Sequence, residues 1–335
     1  MRILADYHHA TLFQSLQLLF CRRLGVELYR PVGMEWYENG YWDVYPHPAT
    51  AKQFLDVAEE DSCLPISKED DGIYWIEGPE EDTDHLGITL DRFADLEFDV
   101  VISSIPQHIG PYNNLIATLQ PGAKHIFQVG NSWGHQPDVG NFLVSAAPFS
   151  VPQEANVCFY HQEFDLGIFD YGAPVPERSI FSYVHYMRSP GLFAEYADRL
   201  SETFHFRAFG SGMGDTLNGS KTIADKMRSS TFTWHFKPEG DGYGHVIHNT
   251  YAVGRPALIW GSHYEGKLAR ALFEDGVTCL DLEGGSPRAN VERILHFSEP
   301  ERHERMCEAA HSRFCEVVDF DEDERRVREF LDRLQ

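Results

Sequence analysis

Short apolar segments that alternate with amphipathic helices constrain the fold of this chain more than any other feature. Ile3 to Tyr7 and Lys124 to Val129 have the length and apolar content of buried strands. Leu12 to Leu24 carries leucines at helical spacing, with Arg22 and Arg23 in the last turn, where they suit the helix dipole. Such alternation is typical of a parallel sheet covered by helices on both faces. The sequence therefore predicts an α/β protein with doubly wound sheets.

The chain is also too long for one hydrophobic core. It has 335 residues, and cores stop growing at roughly 250–300 residues, so two domains are expected. Tyr160 to Arg178 lacks periodicity and contains Gly167, Gly172 and two prolines, as a linker would. We predict an N-terminal domain over 1–165, a hinge over 166–178 and a C-terminal domain over 179–320. A last helix over 321–335 can cross back to the first domain.

Composition excludes several classes of protein. The net charge of −24 disfavours non-specific binding to nucleic acid or to an anionic membrane. The sequence has no apolar run near the roughly 20 residues that span a bilayer, and its first residues do not resemble a signal peptide. Six scattered cysteines without a Cys-x-x-Cys pair fit neither a disulfide framework nor a zinc site. We therefore expect a cytoplasmic protein without a membrane span or a metal.

A glycine-rich run between Lys237 and Pro256 concentrates the chemistry of the second half. Gly240, Gly242 and Gly244 let the backbone approach a ligand closely, and a helix is predicted to begin near His245. The unpaired N–H groups of a helix start favour an anion. The pattern indicates either a phosphate cradle or a tight turn between a strand and a helix.

The same run resembles the donor-binding motif of GT-B glycosyltransferases, in which two acidic residues precede Ala-x-Gly-x-Pro. Here Asp241 lies eight positions before Asn249, and the segment Ala252 to Pro256 completes the pattern. The resemblance implies that Asp241 contacts sugar hydroxyls and Asn249 the nucleotide ribose. It also implies that the backbone of Gly242, Tyr243 and Gly244 meets the sugar and the diphosphate. Aspartate and asparagine replace the two glutamates of the family, which leaves open the donor sugar and whether the reaction retains or inverts the anomeric configuration.

Other residues fit the donor side of this resemblance. Arg188 follows the first strand of the second half, and a guanidinium matches a diphosphate in a bidentate manner. Ser211 and Gly212 follow another strand and can line the donor pocket, while Lys267 is a further phosphate candidate. His245 stands at the predicted helix start. For Arg188, a solvent-exposed loop position is the alternative interpretation.

The first half is expected to bind the acceptor. His8 and His9 follow the first strand, and ligands of doubly wound sheets bind at the carboxyl ends of strands. A histidine there can remove the proton of an attacking hydroxyl, or it can simply cap the following helix. Glu35 is an alternative base within an aromatic block, Tyr29 to Trp42, that suits either the core or acceptor recognition.

The resemblance predicts two Rossmann-like α/β domains facing a cleft, and a glycosyltransferase, in the simplest case a hexosyltransferase. The donor would be a nucleoside diphosphate sugar, a UDP-sugar in the first instance, with no metal or other cofactor required. The acceptor would be a glycan, a small molecule or a hydroxymethylated DNA base, the last because phage enzymes that glycosylate DNA share this fold. The oligomeric state stays open. Two alternatives are a sugar-nucleotide epimerase of the same fold and a non-catalytic sugar-nucleotide-binding module. A dehydrogenase is disfavoured, since no Gly-x-Gly-x-x-Gly follows the first strand.

Overall fold

A computed structural model of the chain divides it into two compact units. Unit 1 comprises Met1–Phe164 with Phe320–Gln335, and unit 2 comprises Asp165–Asp319. The structure describes residues 1–7, 9–42, 48–55, 66–77, 84–131, 138–147, 154–174, 178–184, 190–210, 215–237 and 242–334. Each unit is treated by itself below.

Unit 1 is built on a sheet in which the described residues form nine strands in the order β3-β4-β5-β2-β1-β6-β7-β8-β9. The pairs β3–β4 and β4–β5 are antiparallel, whereas the other neighbours are parallel. The strands are β1 Arg2–Ala5, β2 Glu27–Pro31, β3 Ile66–Asp70, β4 Ile73–Ile76, β5 His85–Ile88, β6 Val100–Ser103, β7 Lys124–Val129, β8 Asn141–Val144 and β9 Asn156–Phe159.

Helices cover both faces of this sheet. They are α1 Ala10–Gln17 with a π-helix over Leu18–Arg23, α2 Glu35–Glu38, α3 Pro48–Leu55, α4 Leu90–Asp95, α5 Pro106–Leu119 and a C-terminal helix Phe320–Asp332. Alternate residues of β1 serve the two faces: Ile3 packs with Phe13 of α1 and Phe330 of the C-terminal helix, whereas Leu4 packs with Trp36 of α2. Both strand faces are apolar because both are buried.

Unit 2 contains a five-stranded parallel sheet in the order β11-β10-β12-β13-β14 among its described residues. The strands are β10 Ser179–Ser182, β11 His205–Ala208, β12 Phe232–Trp234, β13 Ala257–Ile259 and β14 Cys279–Asp281. The helices are α6 Pro190–Arg199, α7 Ser220–Arg228, α8 His245–Ala252, α9 Pro287–Phe297 and α10 Pro300–Val317, with short 3₁₀ segments at Gly261–Tyr264 and Leu268–Leu272.

The predicted α/β class is confirmed, with a doubly wound sheet in each unit that is mostly parallel in unit 1 and parallel in unit 2. One element prediction is wrong in detail. The helix expected from Leu12 to Leu24 changes to π-helical hydrogen bonding at Leu18. Beyond β14 the chain forms two consecutive helices, because Ser298 ends α9 and Pro300 opens α10, where a missing N–H costs nothing.

Within the described part of the chain, no helix combines the length and the apolar character needed to cross a bilayer.

Candidate functional site

The strand order of each sheet marks a point where the winding reverses. In unit 1 this point lies between β1 and β6, and in unit 2 between β10 and β12. Ligands of doubly wound sheets bind beyond the carboxyl ends of such strands. The residues that follow β1, β6, β10 and β12 are therefore the first place to look for a site.

Beyond β1 and β6, unit 1 holds a buried cluster of polar side chains. The carboxylate of Asp6 accepts a hydrogen bond from the Ser104 backbone N–H at 2.7 Å and another from the Ser104 hydroxyl. Asp6 also lies 2.6 Å from Nδ1 of His108, in the first turn of α5. Trp42 packs on the His108 ring with centroids 4.6 Å apart. Asp6 thus joins the ends of two neighbouring strands to the start of a helix.

The charge of Asp6 is stabilised in place. Burial by itself would raise the pKa of Asp6, but the hydrogen bond and charge of His108 and the hydrogen bonds from Ser104 outweigh burial and lower it. Asp6 is therefore an ionised carboxylate whose oxygens are already engaged. Because His108 is fully buried, this cluster anchors the segment after β1 instead of presenting an open base.

Sequence patterns drew attention to His8 and His9 after β1, whereas Ser104 and His108 were missed. The signal was present, since both follow an apolar strand in the same way that His8 and His9 do. What the sequence did not carry was the pairing of β1 with β6, which brings residues almost 100 positions apart into contact.

The three catalytic candidates of unit 1 are separated by the structure. His8 lies outside the described residues. His9 is exposed and caps α1, with its Nδ1 accepting the Leu12 N–H at 3.4 Å. This contact uses the lone pair that a base would need, so capping and proton abstraction compete at Nδ1. Glu35 begins α2, and its carboxylate accepts the N–H of Leu90 at the start of α4, at 3.3 Å.

The aromatic block around Glu35 is largely core. Tyr29, Trp36 and Trp42 are at most 4% exposed, and Trp36 packs against Phe93 with ring centroids 5.3 Å apart. Trp36 also donates its indole N–H to the Ile88 carbonyl at 3.1 Å. Packing explains these three aromatic residues.

In unit 2 the glycine-rich run leads directly into a helix start. Gly244 is the N-cap of α8 with φ 81°, a backbone conformation that favours glycine. Gly242, Tyr243 and Gly244 are buried, and His245 in the first turn is half-buried. The Tyr243 ring stacks on His248 with centroids 3.9 Å apart. The run therefore places backbone N–H groups and aromatic rings at a helix start, where an anion is favoured.

The second part of the motif has a clear local role. Gly254 adopts φ 72° just after α8, and a Cβ added there would lie 2.4 Å from the Tyr171 ring. Arg255 is fully buried and donates to backbone carbonyls, including Gly172 at 2.9 Å and Ala173 at 2.8 Å. These two residues hold the end of α8 and the segment before β10 together. In contrast, Oδ1 of Asn249 on α8 is buried without a hydrogen-bond partner among the described residues.

Half-buried aromatic side chains line the carboxyl ends of β12 and β13. Phe236 follows β12 and packs against Trp260 with centroids 5.1 Å apart, and against His263 at 4.9 Å. Behind them the buried His235 pairs with the hydroxyl of Tyr264. Burial lowers the pKa of His263, so its neutral, stacking form is favoured. This group was missed from the sequence, because its members come from two separate segments, 235–236 and 260–264.

Of the remaining donor-side candidates, only Lys267 belongs to the described residues. Arg188, Ser211, Gly212 and Asp241 lie outside the described residues. Lys267 is half-buried, precedes the 3₁₀ segment Leu268–Leu272, and donates its backbone N–H to Tyr264 at 3.0 Å. Among described residues, no three His, Cys, Asp or Glu side chains converge as metal ligands would.

Comparison with known proteins gives similarity of structure without similarity of sequence. No protein-family model matches the chain, and no curated protein sequence does. Anabaena HepE, solved in complex with UDP and glucose, superposes with a TM-score of 0.63 at 9% identity, over 99% of both chains. A glycosyltransferase from Rickettsia africae has a TM-score of 0.63 at 10% identity, over 99% of this chain and 98% of that one. Sucrose-phosphate synthase from Thermosynechococcus elongatus has a TM-score of 0.62 at 10% identity, over 100% of this chain and 99% of that one.

These likenesses extend over whole chains. The family resemblance predicted from the glycine-rich run is confirmed at the level of the fold. This chain has the GT-B fold of the nucleotide-sugar glycosyltransferases.

Proposed function

We propose that this chain is a glycosyltransferase that takes a sugar from a nucleoside diphosphate sugar, with UDP as the nucleotide. Unit 2 binds the donor and unit 1 binds the acceptor hydroxyl. The observation that carries the proposal is the start of α8, where the positive-φ Gly244 and the preceding Gly242 and Tyr243 open a helix beside the winding reversal of the sheet. Similar structures solved with UDP, with UDP and glucose, or with UDP-glucose support the choice of nucleotide.

The diphosphate is proposed to lie at the start of α8. A leaving diphosphate gains negative charge, and helix N–H groups aimed at it stabilise that charge without a metal. Arg188, Ser211, Gly212, Lys267 and the sugar-binding Asp241 remain proposed donor contacts by resemblance to the family.

The base of the nucleotide is proposed to stack on the aromatic group formed by Phe236, Trp260 and His263. These rings are half-buried and lie at the carboxyl ends of adjacent strands. A half-exposed ring can cover one face of a pyrimidine, and base–aromatic stacking contributes about 1–3 kcal/mol. Asn249, whose Oδ1 is buried without a partner among the described residues, is proposed to accept a hydrogen bond from a ribose hydroxyl.

On the acceptor side, the Asp6–Ser104–His108 cluster is proposed to fix the segment that carries His8 and His9. His8 is the preferred base, because the capping contact of His9 occupies its Nδ1. Glu35 is a weaker candidate, since its carboxylate already accepts the N–H of Leu90. A glycan, a small molecule and a modified DNA base all remain candidate acceptors, and the net charge of −24 weighs against DNA.

The test is titration of the protein with UDP, GDP, ADP and their glucose conjugates by calorimetry. UDP is expected to bind selectively, and Asn249→Ala is expected to weaken it by about tenfold, as the loss of one hydrogen bond to a buried group does. Asn218→Ala provides a matched control, because Asn218 is an exposed asparagine of the same unit. Equal affinity for all nucleotides, or for both variants, contradicts the proposed donor site.

Turnover separates the alternatives. Conversion of a UDP-sugar to another UDP-sugar without acceptor would identify an epimerase. Tight binding without transfer or hydrolysis would identify a binding module.

A further inference from the structure

Arg30 of β2 is a buried cation without a counterion among the described residues. It is 6% exposed, and its Nε is buried without a hydrogen-bond partner in that part of the chain. Its guanidinium carbon lies 4.4 Å from the centroid of the Tyr7 ring. No carboxylate of a described residue is close enough to influence it, and burial lowers the pKa of Arg30 to about 10. A guanidinium stays protonated near neutral pH, so a full charge is held there that no described residue balances.

The strand neighbours of Arg30 are small and apolar. Its register partner in β5 is Gly87, and on the other side the residue that follows the Leu4–Tyr29 pair in β1 is Ala5. Residues in register in a parallel sheet lie on the same face, so neither neighbour offers the guanidinium a polar side chain. The space beside Gly87 is occupied by methyl groups of Val32 and Ile76, which would lie 2.6 Å and 3.0 Å from an added Cβ and carry no charge either.

Arg30 also lies near the winding reversal of unit 1. β2 is the direct neighbour of β1, and Tyr7 belongs to the segment that follows β1. Tyr7 packs in turn on Phe13 of α1 with centroids 5.2 Å apart and on Phe54 of α3 at 6.2 Å. The guanidinium of Arg30 thus packs on the ring of Tyr7, next to the segment proposed to bind the acceptor.

We propose that Arg30 and Tyr7 form a binding site for an oxyanion, a phosphate or carboxylate group carried by the acceptor. A planar guanidinium offers paired N–H donors that match two oxygens of such a group, and the face of Tyr7 holds the guanidinium while the site is empty. The inference rests on the proposed function for the identity of the ligand as an acceptor. The site itself, a buried cation that lacks an anion, does not depend on it.

Other buried or half-buried charges of the described residues do not carry the same inference. Arg255 is satisfied by backbone carbonyls, and Asp6 is engaged by Ser104 and His108. Arg23 pairs with Glu163 at 2.7 Å. Arg30 differs in having neither a hydrogen-bond acceptor nor a carboxylate among the described residues.

The experiment measures thermal stability of the full chain with saturating UDP, so that the proposed donor site is occupied. The probes are inorganic phosphate, glucose 6-phosphate, glucuronate and glucose. We expect at least one oxyanion probe to raise the melting temperature, whereas glucose alone does not. A response to the phosphate compounds or to glucuronate distinguishes the two sources of the oxyanion.

Variants assign the response to Arg30. In Arg30→Met the apparent affinity for the oxyanion probe is expected to decrease by at least about tenfold. The affinity of Arg30→Lys is expected to be intermediate between that of Arg30→Met and that of the unaltered protein. Arg2→Met is the control, because Arg2 is an arginine on the neighbouring strand that already pairs with Glu27. An unchanged response in Arg30→Met, an equal loss in Arg2→Met, or no response of the unaltered protein to any oxyanion overturns the proposal.

Titration with UDP alone keeps the two proposals apart. We expect UDP affinity to be the same in Arg30→Met and the unaltered protein. If the unaltered protein does not bind UDP, the proposed donor site is contradicted. The titration with phosphate still tests the proposed site at Arg30. Should Arg30→Met fail to fold, Arg30→Lys carries the test, and a response equal to that of the unaltered protein then overturns a bidentate site.

Discussion

The two units each bury an arginine, and the two arginines are treated in opposite ways. Arg255 of unit 2 is fully buried and directs its guanidinium at five carbonyls, those of Gly172, Ala173, Arg228, Val253 and Gly254. Arg30 of unit 1 is almost as buried, but its Nε has no hydrogen-bond acceptor among the residues that the structure describes. Burial lowers the pKa of both.

The difference teaches how to separate structural charge from functional charge. A buried cation that is saturated by fixed carbonyls contributes to the fold, because removing it leaves those carbonyls unpaired. A buried cation without partners costs stability and persists only where something outside the resting fold compensates it. Burial alone does not distinguish the two cases, whereas the count of acceptors does.

The largest expected effect is on Arg255. Arg255→Met should reduce the free energy of unfolding of unit 2 by about 3–5 kcal/mol, since several buried carbonyls lose their donor at once. Urea titration with hydrogen-exchange mass spectrometry measures each unit separately. Arg302→Met, which removes a surface arginine paired with Glu299 on α10, should change little. A loss of less than about 1 kcal/mol for Arg255→Met would mean that Arg255 contributes little to the fold. The contrast between Arg255 and Arg30 would then be contradicted.

Gly254 sharpens the same contrast, because it sets the backbone from which Arg255 reaches its carbonyls. Gly254→Ala should cost about 2–3 kcal/mol, combining positive φ with a Cβ 2.4 Å from the Tyr171 ring. Gly266→Ala is the matched control: its φ is 70°, yet nothing lies within 4 Å of an added Cβ. The difference between the two variants, read from urea titrations, isolates the contact with Tyr171. Equal losses would show that the contact relaxes at no cost.

His125 is expected to have a smaller effect on stability. Unlike Arg255 and Arg30, it is a basic side chain that can lose its proton near neutral pH. It is half-buried, with Nε2 2.8 Å from the Ser103 hydroxyl and Nδ1 2.6 Å from Oδ1 of Asn113. Burial lowers the pKa of His125 to about 4 from its ordinary value of 6.5. Between those values the unfolded chain binds more protons than the folded one, so this stability is complete above pH 6.5 and is lost as the pH falls toward 4.

The expected loss for unit 1 between pH 7 and pH 5 is about 1–2 kcal/mol from this residue. His125→Gln, which keeps an amide near Ser103 but cannot titrate, should flatten the dependence by that amount in urea titrations across the range. An unchanged slope would assign the acid sensitivity of unit 1 to other groups. Arg30 has no such escape, because a guanidinium does not lose its proton near neutral pH.

How much could be predicted from the sequence depended on how local each feature is. The strand Lys124–Val129 and the helix over 245–252 follow from short patterns of apolar residues and glycines, and both were predicted to within a residue or so. The antiparallel extension by β3 and β4 was missed, because its pairing with β5 depends on contacts outside each strand.

The candidate sites divide in the same way. The run from Gly242 to Asn249 is contiguous, so its glycines and helix start could be recognised from one short segment of the sequence. Asp6 with His108, and Phe236 with Trp260, are assembled by the order of the strands. No spacing in the sequence encodes that order. That Arg30 has no counterion among the described residues is harder still to predict from the sequence. It depends on the positions of all the side chains that surround Arg30.

The smallest expected effect on stability therefore carries the most information. Arg30→Met should leave the free energy of unfolding of unit 1 unchanged or raise it by up to about 2 kcal/mol, because an apolar side chain of similar length removes the desolvation cost and loses only the contact with Tyr7. The measurement is the same urea titration used for Arg255→Met, without ligands, so the two arginines are compared on one scale. A loss above about 2 kcal/mol would mean that Arg30 is as structural as Arg255 and that burial, not acceptor count, decides the role of a charge in this fold. A gain would mean that the fold carries this arginine at its own cost, as a binding residue is expected to be.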